Sequence, residues 1–310
     1  MSSRGAAEII GAALLVAGCG AGGGQDTATS TGTVGVDGAE LRYVVEGRGT
    51  PCIVIGSERY YRRLFSDEFK GRLRCAFADT RMFTAGARPP ADGVYDMRVV
   101  LADVEAVRQA LQWDTIVVVG HSMHAHLALE YARAYPDRVS HVVMIGMSPG
   151  WPTADARARL WDSQASPERR QAHEARRAAR AAVQADSALS ESDRFIRTYV
   201  LNGALYWFDP EFDCAPLWQQ VDVNVERFDE YVRRSGEDYA VTDAPGLQVP
   251  VFVAIGRHDY VVPFDLWDEA ARRSLTNLTL EIFERSGHTP QYEEAPLFDR
   301  KLIEWLRVSA

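Results

Sequence analysis

Short apolar runs alternate with helical patterns along most of the chain. Runs of four to six mostly apolar residues, most of them bounded by Gly, Pro or Asp, predict strands that are buried on both faces. They fall at residues 52–55, 75–78, 115–119, 142–145, 251–255 and 278–283. The alternation of strands and helices predicts an α/β fold, in which a mostly parallel sheet has helices on both faces.

Other patterns predict the first strands of this fold and two of its helices. Apolar residues at 34–36 and 41–45 flank Asp37-Gly38, a dipeptide that favours a hairpin, so an antiparallel strand pair is expected first. Apolar residues at helical spacing predict one helix before the strand at 115–119 and another at the end of the chain. The first is marked by Val100, Val104, Val107 and Leu111, and the second by Phe298, Leu302 and Trp305.

The alternation stops between Pro149 and about Pro245. This stretch has no clear buried strand and is rich in Ala, Arg, Glu and Gln, which predicts a helical cap at 150–244 inserted into a core of 32–149 and 245–310. An arginine-rich part, 166–181, is interpreted as a solvated helix face. An aromatic group either lines a pocket or packs the cap onto the sheet, and packing is favoured. Its members are Tyr206, Trp207, Phe208, Phe212 and Trp218.

Residues 1–31 are predicted to be a signal and a flexible tether. An apolar run at 9–17 is too short to span a bilayer, and small residues precede Cys19. The pattern resembles a bacterial lipoprotein signal, which implies lipidation of Cys19 and an exported, membrane-attached protein. Glu8 offsets the charge of Arg4 in the head of the signal, and a cytoplasmic protein is the alternative.

The charge of the chain and its cysteines bear on two further questions, nucleic acid binding and disulfide bonds. The formal net charge is -9, from 43 acidic and 34 basic residues, so a nucleic acid partner is not expected. Cys52, Cys75 and Cys214 do not make a complete disulfide framework. Cys52 and Cys75 open two predicted strands, and small buried side chains are favoured over a bridge between them.

The strongest chemical signal follows the strand at 115–119. There Gly120-His121-Ser122-Met123-His124 leads directly into a predicted helix. A strand, a sharp turn and a helix form the context of a nucleophile elbow, which exposes a serine hydroxyl above the sheet. Gly120 supplies one small flanking residue, whereas His124 stands where a second glycine is usual.

A serine hydroxyl needs an imidazole to remove its proton and a carboxylate to orient that imidazole. Asp259 follows the strand at 251–255, and His288 follows the strand at 278–283. Both therefore lie at the carboxyl ends of strands, where ligands bind in such sheets. The sequence predicts a triad of Ser122, Asp259 and His288.

This combination resembles the α/β-hydrolases with a helical cap, close to the proline-iminopeptidase-like and esterase branch, over residues 34–306. The resemblance implies a serine hydrolase that needs no cofactor and forms an acyl-enzyme. It also implies an oxyanion hole made by the backbone N–H groups of Met123 and Ser57. Gly56 is retained from the His-Gly pair of the family, but Ile55 replaces the histidine.

Hydrolysis of a carboxylic ester of a small molecule is the first functional expectation, and an aminopeptidase or amidase is the second. The third is a catalytically silent binding protein in which His124 blocks the elbow. Both His124 and Gly56 are candidates for substrate contact. A metal site is not expected, because His124 and His126 are two residues apart on a helix and do not face each other.

Overall fold

The computed structural model describes residues 29–241 and 247–309. Eight strands form one sheet in the order β1-β2-β4-β3-β5-β6-β7-β8. Strand β2 is antiparallel to β1 and β4, and every other neighbouring pair is parallel, as predicted. The strands are β1 (Ser30–Val36), β2 (Ala39–Glu46), β3 (Thr50–Gly56), β4 (Leu73–Asp79), β5 (Ile116–His121), β6 (Val139–Ile145), β7 (Val251–Gly256) and β8 (Leu278–Phe283).

Helices flank the sheet and fill the interval between β6 and β7. Those of the core are α1 (Glu58–Arg62), α2 (Asp67–Arg72), α3 (Met97–Ala110), α4 (Met123–Ala134), α11 (Glu269–Arg273), α12 (Pro290–Glu293) and α13 (Ala295–Val308). Those between β6 and β7 are α5 (Ala154–Gln164), α6 (Pro167–Ala175), α7 (Arg177–Ala185), α8 (Glu191–Leu201), α9 (Gly203–Tyr206) and α10 (Val225–Tyr231). We call residues 150–241 the helical layer.

The first strand begins earlier than the sequence predicts. Ser30 and Thr31 pair with Val45 and Val44, so the predicted tether is wrong for these two residues. Ladder hydrogen bonds use the backbone and need no apolar side chain, which is why the polar composition is misleading here. Cys19 and the predicted signal lie outside the described residues. In the described part of the chain, no helix is both long and apolar enough to cross a membrane.

The central strands have the continuous burial that parallel sheets require. Every residue of β5 and β7 is buried. Cys52 on β3 lies opposite Cys75 on β4, and both thiols are free and fully buried. The two cysteines therefore serve as small core side chains.

The arginine-rich stretch differs from the prediction in one respect. It forms two helices, α6 and α7, and Arg169 on α6 is buried instead of solvated. Its guanidinium donates to the carbonyl oxygens of Ala204 (2.6 Å), Trp207 (2.8 Å) and Phe208 (2.5 Å). Five N–H donors in a planar fork suit a cluster of carbonyls, so this arginine is enclosed by the layer it holds together.

Candidate active site

Ser122 occupies the sharp turn between β5 and α4. Its backbone has φ +56° and ψ −137°, a conformation that is rare for a residue with a side chain. Its N–H donates to the Ile145 carbonyl at 2.8 Å, which fixes the turn to the neighbouring strand β6. Although Ser122 stands at the N-cap of α4, its side chain makes no capping hydrogen bond. The hydroxyl is therefore free for another task.

Close packing of β5 against α4 depends on Gly120. A Cβ atom at this position would lie 1.9 Å from the carbonyl oxygen of His124, which is a backbone atom and cannot rotate away. The substitution Gly120→Ala is therefore expected to lower the free energy of unfolding by about 3 kcal/mol and to distort the elbow. Urea unfolding monitored by tryptophan fluorescence measures this change.

Gly71→Ala is the matched control for that substitution. Gly71 lies in α2, and a Cβ atom there would meet nothing within 4 Å. Alanine is a better helix former than glycine, so this variant should be unchanged or more stable by up to about 1 kcal/mol. Equal stability of the two variants would contradict the tight contact at Gly120.

Asp259 and His288 form a buried pair. The Nδ1 atom of His288 lies 2.6 Å from Oδ2 of Asp259, and Asp259 is fully buried. The other oxygen, Oδ1, accepts the N–H groups of Val261 (2.9 Å) and Val262 (2.8 Å). Because the carboxylate can only accept, the Nδ1 atom carries the proton and Nε2 of the neutral ring is left as the basic nitrogen.

Two contacts tie this pair to its surroundings. The N–H of His258 donates to the Ser286 carbonyl at 2.9 Å, which joins the loops after β7 and β8. The Nε2 atom of His121, the residue before Ser122, lies 2.9 Å from the carbonyl oxygen of His288. The structure thus brings the elbow and the predicted acid and base residues to one edge of the sheet.

The two predicted oxyanion donors lie at the same edge. Ile55 on β3 is in register with Gly120 on β5, so the turns that follow these strands are adjacent. Met123 is the first residue of α4, and its N–H has no acceptor within the helix. Ser57 is the N-cap of α1 and accepts the Tyr60 N–H through its side chain at 3.3 Å. The role of both N–H groups stays a prediction.

Gly56 permits a close contact that another residue would prevent. Its φ is +141°, and a Cβ atom there would lie 2.1 Å from the ring of Tyr61. The Tyr61 hydroxyl lies 3.3 Å from Nδ1 of His124 and 3.5 Å from Nδ1 of His121. Tyr61 thus links the loop after β3 to the elbow, a contact that no motif in the sequence indicates.

His124 is buried beside the elbow. Its ring packs against Tyr61 and Phe83, and its Nε2 atom has no hydrogen-bond partner. Burial lowers the pKa of His124 to about 4, so the ring is neutral at pH 7. Contact between His124 and a substrate stays a prediction.

This histidine should weaken the fold in mild acid. An unfolded chain protonates His124 near pH 6.5, whereas the folded protein does so only near pH 4, so its contribution to stability falls as the pH drops between these values. We compare the free energy of unfolding of His124→Gln with that of the wild type. The difference should favour the variant by about 2 kcal/mol more at pH 5 than at pH 7.5. Urea unfolding at both pH values tests this, and a difference that is independent of pH would contradict it.

The other histidine of the elbow helix has a separate environment. The Nε2 atom of His126 lies 2.9 Å from the Ser148 carbonyl, and its ring packs against Tyr239. Within residues 29–241 and 247–309, no group of three His, Cys, Asp or Glu side chains is placed to hold a metal ion.

A cavity of about 360 Å³ opens within the helical layer. Tyr206 belongs to its wall, and the ring of Tyr206 also lies 5.6 Å from the ring of His288. The aromatic group found in the sequence therefore has two roles, because Trp207 and Trp218 pack in the core while Tyr206 reaches the site. The cavity is lined by Gln184, Glu191, Arg194, Phe195, Thr198, Tyr199, Asn202, Tyr206 and Val225.

Comparison with known proteins identifies the family. The sequence model of a family described as alpha/beta hydrolase fold matches residues 51–295. The chain belongs to the alpha/beta hydrolase fold family. This alpha/beta hydrolase is 34% identical over 279 residues to the AB hydrolase superfamily protein YclE of Bacillus subtilis (strain 168). The aligned region covers 87% of this chain and 96% of that protein.

More distant similarities extend the comparison. A 2-hydroxy-6-oxononadienedioate/2-hydroxy-6-oxononatrienedioate hydrolase of Burkholderia vietnamiensis is 24% identical over 206 residues, 61% of this chain and 62% of that protein. An esterase structure from Thermogutta terrifontis shares the fold with a TM-score of 0.62 at 20% identity, covering 87% of this chain and 94% of that one. The predicted alpha/beta hydrolase family is thereby confirmed, and the proline-iminopeptidase-like branch is not specifically supported.

Proposed function

We propose that this alpha/beta hydrolase is a serine hydrolase that cleaves a carboxylic ester of a small molecule through an acyl-enzyme. The observation that carries the proposal is the backbone of Ser122 at φ +56°, with a side chain that caps no helix, at the sheet edge that also holds the His288–Asp259 pair. A strained turn that exposes a serine and an imidazole paired with a carboxylate are two of the parts that an activated serine requires, and both support the proposal.

The first half of the reaction forms the acyl-enzyme. The Oγ atom of Ser122 attacks the ester carbonyl carbon while Nε2 of His288 takes the hydroxyl proton. Asp259 holds the ring and stabilises its positive charge. The oxyanion accepts hydrogen bonds from the N–H groups of Met123 and Ser57. The carbon–oxygen bond to the alcohol then breaks, and His288 returns its proton to the leaving alcohol.

The second half releases the acid. Water attacks the acyl carbon and gives a proton to Nε2 of His288, and the second tetrahedral intermediate collapses with return of the proton to Ser122. Every step uses groups of this chain, the substrate and water. An amide would pass through the same steps but needs protonation of a more basic leaving nitrogen, so an ester is the easier substrate.

Nitrophenyl esters of increasing acyl length, with proline nitroanilide beside them, test the proposal. Nitrophenolate is a good leaving group, so formation of the acyl-enzyme should be faster than its hydrolysis. We therefore expect a rapid release of nitrophenol close to one equivalent of enzyme, followed by slower turnover. Cleavage of the anilide at a higher kcat/KM than every ester would favour the aminopeptidase. Binding of an ester without release of nitrophenol would favour the silent binding protein.

A second candidate substrate comes from the relatives that match about two thirds of this chain. Several are named as hydrolases of 2-hydroxy-6-oxononadienedioate. This compound therefore belongs in the same assay, and its hydrolysis at a higher kcat/KM than any ester would replace the ester as the proposed substrate.

A further inference from the structure

The carboxylate of Glu293 accepts hydrogen bonds from three backbone N–H groups. Its Oε1 atom accepts from Phe208 at 2.6 Å, and its Oε2 atom accepts from Gly287 at 2.9 Å and Thr289 at 3.2 Å. Gly287 and Thr289 are the two neighbours of His288 in the chain, whereas Phe208 belongs to the helical layer. One side chain therefore holds both sides of the His288 backbone and joins them to the layer.

Residues 205–208 of the helical layer make further contacts with the same loops. The N–H of His288 donates to the Tyr206 carbonyl at 2.5 Å, and the N–H of Tyr260 donates to the Leu205 carbonyl at 3.1 Å. The approach is close enough that a Cβ atom at Gly287 would lie 2.1 Å from the Tyr206 carbonyl oxygen. The loops that carry Asp259 and His288 are thus both bonded to this short segment.

The far side of the segment is held by a buried cation. Arg169 donates to the carbonyls of Trp207 and Phe208, while Glu293 accepts the Phe208 N–H. The segment is therefore fixed between a positive group in the helical layer and a negative group in the core. Charge-assisted hydrogen bonds are stronger than neutral ones, so this arrangement resists displacement.

We propose that Glu293 is a positioning residue for His288, which fixes the imidazole by holding the backbone on both sides of it and by bonding that backbone to residues 205–208. The proposal rests on the proposed role of His288 as the base. It concerns geometry, because Glu293 touches the backbone around His288 and acts through it. A displacement of about 1 Å at a reacting group is enough to cost about 100-fold in rate.

The ionised form of Glu293 suits this role, and it predominates above about pH 7. Burial raises the pKa of Glu293 to about 7, and the three N–H groups oppose that rise. Asp259 also raises this pKa, while Arg169 is the buried cation on the other side of the segment. The ionised carboxylate accepts all three N–H groups. In Glu293→Gln the amide nitrogen is a donor, so it cannot accept the N–H groups on its side.

The adjacent Glu294 provides a matched control. Its Oε2 atom accepts the Arg285 N–H at 2.9 Å and the Ser286 hydroxyl at 2.7 Å. Glu294→Gln makes the same chemical change, one residue further along, on a carboxylate that holds the start of the same loop. It leaves the bonds to Gly287, Thr289 and Phe208 in place.

The test compares Glu293→Gln, Glu293→Asp and Glu294→Gln with the wild-type protein. The first measurement is the rate of covalent labelling of Ser122 by a fluorophosphonate, together with kcat and KM for an ester. We expect Glu293→Gln to lower the labelling rate and kcat by about 10- to 100-fold with little change in KM. We expect Glu293→Asp to recover part of the rate and Glu294→Gln to stay within about threefold of wild type.

The second measurement is the low-field proton resonance of the Nδ1–H group of His288, which does not depend on catalysis. Glu293→Gln should shift or broaden this resonance, and Glu294→Gln should leave it unchanged. If the wild-type protein is not labelled, the proposed function fails, and the resonance alone decides the role of Glu293. Equal labelling rates and equal resonances in the two glutamine variants would overturn the proposal. If Glu293→Gln does not fold, Glu293→Asp takes its place, because its side chain is one methylene shorter and cannot reach the N–H groups of Phe208, Gly287 and Thr289 together. A wild-type rate and resonance in that variant would then overturn the proposal.

Discussion

Asp259→Asn is expected to lower kcat for ester hydrolysis by about 10⁴-fold while the protein stays folded. The side-chain oxygen of asparagine can still accept the N–H groups of Val261 and Val262, which bind Oδ1 of Asp259 in the wild-type protein. Its NH₂ group then points at Nδ1 of His288. The ring must carry its proton on Nε2 instead, and such a ring cannot take the proton of Ser122.

Asp265→Asn is the control for this change. Asp265 lies six residues further on, in a short 3-10 helix (Phe264–Leu266), and is exposed, so the variant makes the same chemical substitution away from His288. Steady-state kinetics with a nitrophenyl ester should give a wild-type kcat for this control. A kcat within tenfold of wild type for Asp259→Asn would contradict the role of the Asp259–His288 pair.

Replacement of Ser122 should separate activity from stability. Ser122→Ala is expected to lower kcat by at least about 10⁴-fold, because no hydroxyl remains to form the acyl-enzyme. Ser122→Gly should be equally inactive but more stable than Ser122→Ala by about 1 kcal/mol. Glycine adopts φ +56° without the steric cost that a Cβ atom brings, and it removes the strain at this turn.

Ester hydrolysis and urea unfolding of both variants measure these two effects. The comparison between alanine and glycine is its own control, since both lack the hydroxyl and differ only in the Cβ atom. Turnover by Ser122→Ala near the wild-type rate would contradict the proposed nucleophile. A glycine variant less stable than the alanine variant would contradict the strained backbone at this position.

The sequence predicts most of the sheet because its signals are local. The apolar run at 278–283 coincides with β8, and the elbow is recognisable because strand, turn and helix follow one another directly. Asp259 and His288 are found by the same logic, as each comes just after a predicted strand. The prediction of burial is wrong for β8, which is half-buried except at Phe283 because it lies at the edge of the sheet and has a neighbouring strand on one side only. The structure places their side chains 2.6 Å apart although 29 residues separate them.

The contacts that support the site were not predictable in this way. Glu293 and Arg169 look like ordinary helical charges in the sequence, since acidic and basic residues are common around both. Their roles depend on how the helical layer packs against the core. The periodicity of apolar residues in the sequence does not predict that packing. For this reason the sequence pattern wrongly predicts a solvated face for Arg169, and it does not distinguish Tyr206 from its packing neighbours. Buried polar contacts over long sequence separations need the three-dimensional structure.

Fluorophosphonate labelling of the purified protein, followed by peptide mass mapping, tests the central claim most directly. The reagent reacts stoichiometrically only where nucleophile, base and oxyanion hole work together. We predict one adduct per chain, located on Ser122 and lost in Ser122→Ala. A folded wild-type protein that gains no adduct, or gains it on another residue, would contradict the proposal that this alpha/beta hydrolase works through Ser122, His288 and Asp259.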